Sequence, residues 1–316
     1  MTLGPEAADQ IAEAYELGDV VEMTGPTRGE QGQVWRLVTS TGEWAVKETF
    51  NELSESEAAR IAAFQTAAQS VGVGAPAVLT TATGTHLATV DGTALRLYGW
   101  VDICGPDVSL DPAAVGRLVA VLHRTIVPAW GQPHPWYTEP VGVGWDELVA
   151  QATDQQAPFA DTLAALRDEL GVLEATLRPM APLQTCHLDL WADNLRATAE
   201  GGLCLIDWDN CGPADPSREV ALVLFEFGRG DHHRLRAIYE SYLDSAGPGR
   251  VSGGADFTML IAQLGHIGEM HLRRWLALPP GAPERAREEA GIEEFLGDPL
   301  RRSTIDDILH AVAKVG

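Results

Sequence analysis

Residues 185–209 read TCHLDLWADNLRATAEGGLCLIDWD, and the rest of the chain is organised around them. The first arm carries His187, Asp189 and Asn194 in the pattern H-x-D-x-x-x-x-N. The second returns through Leu203, Leu205 and Ile206 to Asp207 and Trp208. Apolar residues flank a turn near Glu200-Gly201, so the arms are expected to pair as a hairpin with Asn194 facing Asp207. Cross-strand neighbours lie about 5 Å apart, close enough for both side chains to reach one cation. Asp189 lies on the loop leading in, and His187 reads as a buried histidine that shapes this loop. The stretch predicts a metal site with a carboxylate base beside it.

Toward the N-terminus, Thr41-Gly42 marks a turn between two strand-like runs, 33–39 and 43–49. Gly29-x-x-Gly32-x-Val34 leads into the first. In a period-2 strand Ala45 and Lys47 share one face, and Trp44 and Val46 the other. A glycine hairpin over an inward lysine can hold a nucleotide triphosphate, with backbone N–H groups and an ammonium on its phosphates. Residues 54–70 predict a helix with Ile61, Phe64 and Ala68 on one face. Glu57 shares that face, and Lys47 is its preferred partner. The alternative is local: Ser54-x-x-Glu57 fits a capping box. Residues 5–17 predict a helix and 20–23 a first strand. Three apolar runs at 77–81, 85–90 and 94–101 complete an antiparallel sheet, and Gly105-Pro106 reads as a hinge.

From residue 112 the periodicity becomes helical, with Val115, Leu118, Val119 and Leu122 on one stripe. Helices are expected at 145–155 and 158–176, then in PSREVALVLFEFG, DHHRLRAIYESYLDSAG and DFTMLIAQLGHIGEMHLRRWLAL, and as a weaker pair at 284–296 and 302–314. The fold class is α+β: residues 1–101 as a nucleotide-binding lobe of antiparallel sheet with one inserted helix, and 102–316 as a larger helical lobe holding the catalytic loop, metal site and acceptor pocket. A length of 316 residues suits two such lobes.

The net charge of −23 argues against a nucleic-acid partner, whose phosphates need a basic surface. It is compatible with a cationic substrate. No run of 18 or more apolar residues occurs, so no membrane span is expected. The acidic N-terminus lacks a signal pattern, and a cytoplasmic location is the expectation. Four scattered cysteines without C-x-x-C give neither a zinc site nor a disulfide framework.

Phosphoryl transfer needs a cradle for phosphates, a cation on them, Mg²⁺ with oxygen ligands and a carboxylate to orient the attacking hydroxyl. Gly29 and Gly32, Lys47, Glu57, Asp189, Asn194 and Asp207 supply these in order. HLDLWADN, IDWD and WAVK resemble the catalytic loop, metal segment and lysine strand of the aminoglycoside phosphotransferase family, small-molecule relatives of the protein kinases. The resemblance runs from Gly29 to the C-terminal helices and implies a bilobal protein-kinase-like fold. It implies Asp189 as catalytic base, Asn194 and Asp207 as Mg²⁺ ligands, and Lys47 on the α/β-phosphates with Glu57 as its pair. Gly29, Gly32, Val34 and Ala45 would line the nucleotide, and Tyr98, Trp100 and Val101 would present backbone to adenine. ATP is the expected donor, with GTP as the alternative. The chain departs from the pattern in three places. Thr27 replaces the first glycine of the kinase loop. Only ten residues separate Lys47 from Glu57. Ser217-Arg218-Glu219-Val220-Ala221 stands where the family often has Asp-Leu-Ala.

The acceptor is expected to be a small hydroxyl compound met by the catalytic loop and the helices after Asp207. Candidates are Trp191, Asp193, Asp209, Glu226, Asp231, His266 and Glu269, an aromatic with acids that would suit an amino sugar or another polycation. The leading reading is a kinase of an antibiotic such as an aminoglycoside. The alternatives are a kinase of a housekeeping amino sugar or amino alcohol, and a non-catalytic nucleotide-binding regulator. A monomer or homodimer is expected.

Overall fold

The structure is a computed structural model that describes residues 3, 5–29, 32–179 and 183–315. The chain divides into two compact units, 1–107 with 192–211, and 108–191 with 212–316. The expected boundary after residue 101 therefore differs at one place that matters: the segment carrying Asn194 and Asp207 groups with the N-terminal unit.

The first unit is built on a five-stranded antiparallel sheet in the order β1-β2-β3-β5-β4. Its strands are β1 (Val20–Arg28), β2 (Gly32–Thr39), β3 (Gly42–Thr49), β4 (Ala88–Val90) and β5 (Thr93–Gly99). The register places Trp35 against Val46 and Val46 against Leu97, and these side chains turn together into one core. Helix α1 (Pro5–Ala14) covers that face with Ala7, Ala8 and Ile11. The opposite row is Val34, Lys47 and Arg96, with Ala45 and Tyr98 beside it. The period-2 reading of β3 thus holds. Of the three runs expected after the helix, 77–81 forms a single bridge, Val78 to Tyr98, beside the N–H-less Pro76. Strand β4 begins only at Ala88, because the amides of His86 and Leu87 donate to the Glu55 carboxylate at 2.8 and 3.0 Å.

Helix α2 (Glu55–Ser70) buries Ala58, Ile61, Phe64 and Ala68. A short hairpin, β7 (Leu195–Ala197) with β8 (Leu203–Leu205), packs within this unit. The Leu205 amide donates to Gly74 O at 2.8 Å. Gly74 is glycine for a steric reason: a Cβ there would stand 2.2 Å from Leu203 O.

The second unit is mainly helical: α3 (Pro112–Arg124), α4 (Trp145–Asp154), α5 (Ala160–Glu174), α6 (Pro216–Gly228), α7 (His232–Asp244), α8 (Thr258–Ala277), α9 (Glu284–Gly297) and α10 (Arg302–Val312). Strands β6 (Gln184–Cys186) and β9 (Gly212–Ala214) pair antiparallel. Helix α6 is apolar nearly all round and is buried on every side, as such a helix must be. Gly116 lets α3 meet α7 closely, where a Cβ would lie 2.2 Å from Ile238 O. The weaker helical pair expected near the C-terminus is present as α9 and α10. Among the described residues no helix is long and apolar enough to cross a membrane.

Candidate active site

In the first unit Lys47 points from β3 toward two carboxylates. Its Nζ donates to Asp207 Oδ1 at 2.6 Å and lies 2.9 Å from Asp209 Oδ2. Arg96, directly across from Lys47 on β5, donates from Nη2 to Asp209 Oδ2 at 2.6 Å and is only 4% exposed. Burial pulls the Lys47 ammonium down, but Asp207 and Asp209 outweigh it and push it above the ordinary lysine value. Burial likewise raises the Asp209 carboxyl, and Lys47 and Arg96 overcome this to hold it at about 2. Lys47, Arg96 and Asp209 are therefore charged near neutrality.

The I-D-W-D segment explains how two carboxylates converge on one lysine. Strand β8 ends at Leu205, and Asp207 adopts a left-handed backbone, φ 57° and ψ 68°, at the head of a short turn over 208–210. Aspartate tolerates that region better than most residues. Trp208 is buried, donates its indole N–H to Leu205 O at 3.0 Å and meets Phe64 edge-on. With Trp208 pinned, Asp207 and Asp209 both reach Lys47.

The expected hairpin register is corrected by one residue. Leu195 pairs with Leu205, and the Ile206 amide donates to Asn194 O at 2.9 Å, so Asn194 faces Ile206 rather than Asp207. Gly201 and Gly202, at φ 92° and 95°, close a three-residue loop centred on Glu200 instead of a turn between Glu200 and Gly201. A one-residue slip would reverse the faces of a regular strand, but the left-handed Asp207 has already left the ladder. Asn194 is buried and precedes β7 at the same end of the hairpin.

The pairing expected for Glu57 is also corrected. Glu57 is exposed and closes a capping box: the Ser54 amide donates to Glu57 Oε2 at 2.9 Å, and the Glu57 amide to Ser54 Oγ at 3.3 Å. The local partner wins because it lies three residues away, and Lys47 already has two carboxylates.

The other nucleotide-side residues lie on or beside the sheet. Gly29 is exposed at the β1–β2 turn, where its amide donates to Gly32 O at 2.9 Å. Gly32 answers to the sheet itself, since a Cβ there would stand 2.3 Å from Glu48 O. Val34 sits opposite Lys47, and Ala45 opposite Tyr98. The amides of Gly99 and Trp100 are committed to Ala77 O and Glu43 O, at 2.8 and 3.0 Å. Val101 follows on the same stretch.

In the second unit, His187, Leu188 and Leu190 are buried around a half-buried Asp189. Leu188 is left-handed at φ 67°, so the chain turns sharply just before Asp189. The wholly buried Glu219 of α6 secures this turn. Its carboxylate accepts the Leu188 amide, and the His187 amide at 3.4 Å. It also meets His123 Nε2 at 2.8 Å, and His123 Nδ1 lies 2.9 Å from the Tyr242 hydroxyl. Burial raises the Glu219 carboxyl, but the His123 contact and the loop amide reverse this, and it sits below the usual glutamate range.

Most of the acids proposed for an acceptor are otherwise engaged. Asp209 belongs to Lys47 and Arg96. Asp231 caps α7, accepting the His233 and Arg234 amides at 2.8 and 3.2 Å. Glu269 accepts the Gly142 and Val143 amides at 3.2 and 2.9 Å, and meets His266 Nδ1 at 3.3 Å. His266 in turn stacks on Trp136. Trp191 packs edge-on to Phe225, with centroids 6.5 Å apart. Asp193 is exposed, and Glu226 is half-buried on α6. Sequence reasoning missed Arg96 and Glu219 as working residues. The detectable signal was the same for both: a charge inside an apolar strand or helix.

Residues 22–253 match the family model described as the phosphotransferase enzyme family. Over 210 residues the chain is 28% identical to a homoserine kinase of Methylorubrum populi, covering 64% of this chain and 63% of that protein, so less than two thirds of the kinase's length is matched. The fold resembles a spectinomycin phosphotransferase solved with ADP and spectinomycin, at a TM-score of 0.72 and 14% identity over 98% of both chains. It also resembles an aminoglycoside phosphotransferase from Alicyclobacillus acidocaldarius, at 0.62 and 17% over 98% of both. These likenesses establish the protein-kinase-like fold.

Proposed function

The chain belongs to the phosphotransferase enzyme family, and on that premise we propose that it moves the γ-phosphate of ATP to a hydroxyl group of a small molecule. The observation that carries this reading is the charge cluster on the sheet: Lys47 between Asp207 and Asp209, with Arg96 alongside. Nε and Nη1 of Arg96 are buried with no hydrogen-bond partner among the described residues, and so is Asp209 Oδ1. Buried donors left over suit anionic phosphates, and Asp207 and Asn194, at one end of the hairpin, bring the oxygen-bearing side chains that Mg²⁺ takes. The residues present therefore fit a nucleotide with Mg²⁺. Asp207 and Asn194 would hold the metal, and Lys47 the phosphates. Once bound, Mg²⁺ would neutralise charge on the transferring phosphoryl group.

Asp189 takes the acceptor's proton at a carboxylate oxygen and orients that hydroxyl. Its role depends on aim more than on basicity, since positioning dominates such reactions. Glu219 supplies the aim by fixing Leu188 in its left-handed turn. Val101, the amide of its stretch not taken by Ala77 or Glu43, is the backbone group offered to adenine.

For the acceptor, a compact hydroxylated metabolite such as a hydroxy amino acid or amino alcohol is the first reading. It is supported by the homoserine kinase relative and by the engagement of Asp209, Asp231 and Glu269, which leaves few acids for a polycation. An antibiotic acceptor is the second reading, favoured by the full-length likeness to the spectinomycin phosphotransferase. ATP consumption across homoserine, amino alcohols, choline, spectinomycin and aminoglycosides tests both. Turnover on aminoglycosides or spectinomycin with none on the metabolites would reverse their order.

A further inference from the structure

Lys47 has two counter-ions, and they are not equivalent. Asp207 has a side chain 38% exposed and stands at the head of a turn, whereas Asp209 is 12% exposed and is clamped by a second cation. Lys47 and Arg96 are direct cross-strand partners, so both ends of the Asp209 clamp are set by the sheet register. The planar Arg96 guanidinium suits such a clamp, being held in the wall of the sheet with little left to order. Glu57, the helix acid that could have paired with the lysine, is spent on its own helix. A divalent cation drawn to Asp207 would compete with Lys47 for that carboxylate. Asp209 keeps the lysine neutralised when it does so.

We propose that Asp209, held by Arg96, is the permanent counter-ion that positions Lys47, filling the place of a helix glutamate and leaving Asp207 to a divalent cation. Asp209 and Arg96 are positioning residues for the nucleotide phosphates. The proposal rests on the phosphotransferase reading of the site.

The test is binding of a fluorescent ATP analogue to the full-length protein, titrated at a series of Mg²⁺ concentrations. Without Asp209 the whole lysine charge falls on Asp207. Asp209→Asn should therefore raise the Mg²⁺ needed for half-maximal nucleotide binding about tenfold, a loss of the size expected for one charge-assisted contact. Arg96→Met should shift it the same way, and Arg96→Lys should recover at least half of that shift on a logarithmic scale. Glu57→Gln, which can still cap its helix, should stay within about twofold of wild type. A merely structural role would lower the melting temperature without moving the Mg²⁺ requirement. The proposal is overturned if Asp209→Asn stays within twofold of wild type, or if Glu57→Gln shifts as far as Asp209→Asn does. Should Asp209→Asn not fold, the Arg96 pair decides, and wild-type Mg²⁺ dependence in Arg96→Met overturns the idea. Lys47→Met is the control for the parent reading: if it binds nucleotide as wild type does, the phosphotransferase site itself is misassigned, whatever Asp209 does.

Discussion

The carboxylate of Glu219 accepts the backbone amide of Leu188, so an acid from the centre of the second unit fixes the residue directly before Asp189. Glu219→Gln keeps the shape but sets an amide where a charge met two N–H groups and a histidine. Breaking one side of a buried charged network costs about 3 kcal/mol. The variant should lose stability of that order in denaturant unfolding. It should lose kcat at least tenfold with little change in the KM for ATP, because the groups it disturbs lead to Asp189, the proposed base, and not to the proposed phosphate site.

The same residue gives a pH signature. The folded Glu219 carboxyl lies below its unfolded value, so its contribution is present in full above the unfolded value, about 4.3. It is lost as pH falls through the folded value. The stability gap between wild type and Glu219→Gln should shrink as pH falls below about 4. Urea midpoints taken at intervals down to pH 3 check the sign. A gap that widens on acidification would contradict the charged state of Glu219.

The capping box makes a sharper separation of stability from function. Ser54→Ala should cost about 1 kcal/mol, Glu57→Ala should destabilise in the same direction, and the double variant should cost little more than Ser54→Ala alone, because both remove one cap. ATP affinity should stay within twofold in all three. Thermal melts paired with nucleotide titration measure both quantities.

Gly74→Ala tests how the hairpin bearing Asp207 is seated. The added Cβ would meet Leu203 O at 2.2 Å, and the backbone must shift to admit it. A loss of about 2 kcal/mol is expected from such overpacking. Nucleotide binding should weaken as well, since β8 leads directly into the I-D-W-D turn. An unchanged melting temperature would show that the contact is not as close as described.

Much of the fold was legible in the chain. Alternation at 33–39 and 43–49 located the lysine strand, and it placed Lys47 and Val46 on opposite faces. The helical stripes gave α2 to α10 with ends displaced by a few residues. The candidate site was legible where its parts lie close in sequence, as in the hairpin that joins H-x-D-x-x-x-x-N to I-D-W-D. It was not legible where the outcome depended on what else reached the same group. Glu57 had two plausible partners, and only the convergence of Asp207 and Asp209 decided between them. Arg96 in LRLYG looks like the polar side of a half-exposed strand until β3 and β5 put it beside Lys47. The hairpin register turned on two consecutive left-handed glycines, which sequence alone does not order.

The most direct measurement is phosphoryl transfer to a hydroxyl compound by wild type and Asp189→Asn, run beside nucleotide binding for both. The expected result is turnover by wild type on at least one small hydroxylated metabolite or antibiotic. Asp189→Asn should reduce it by about 10² to 10⁴, the range for loss of a general base, with nucleotide affinity retained. Equal turnover in the two proteins would contradict the assignment of Asp189. Tight nucleotide binding with no transfer to any acceptor would contradict the phosphotransferase reading itself.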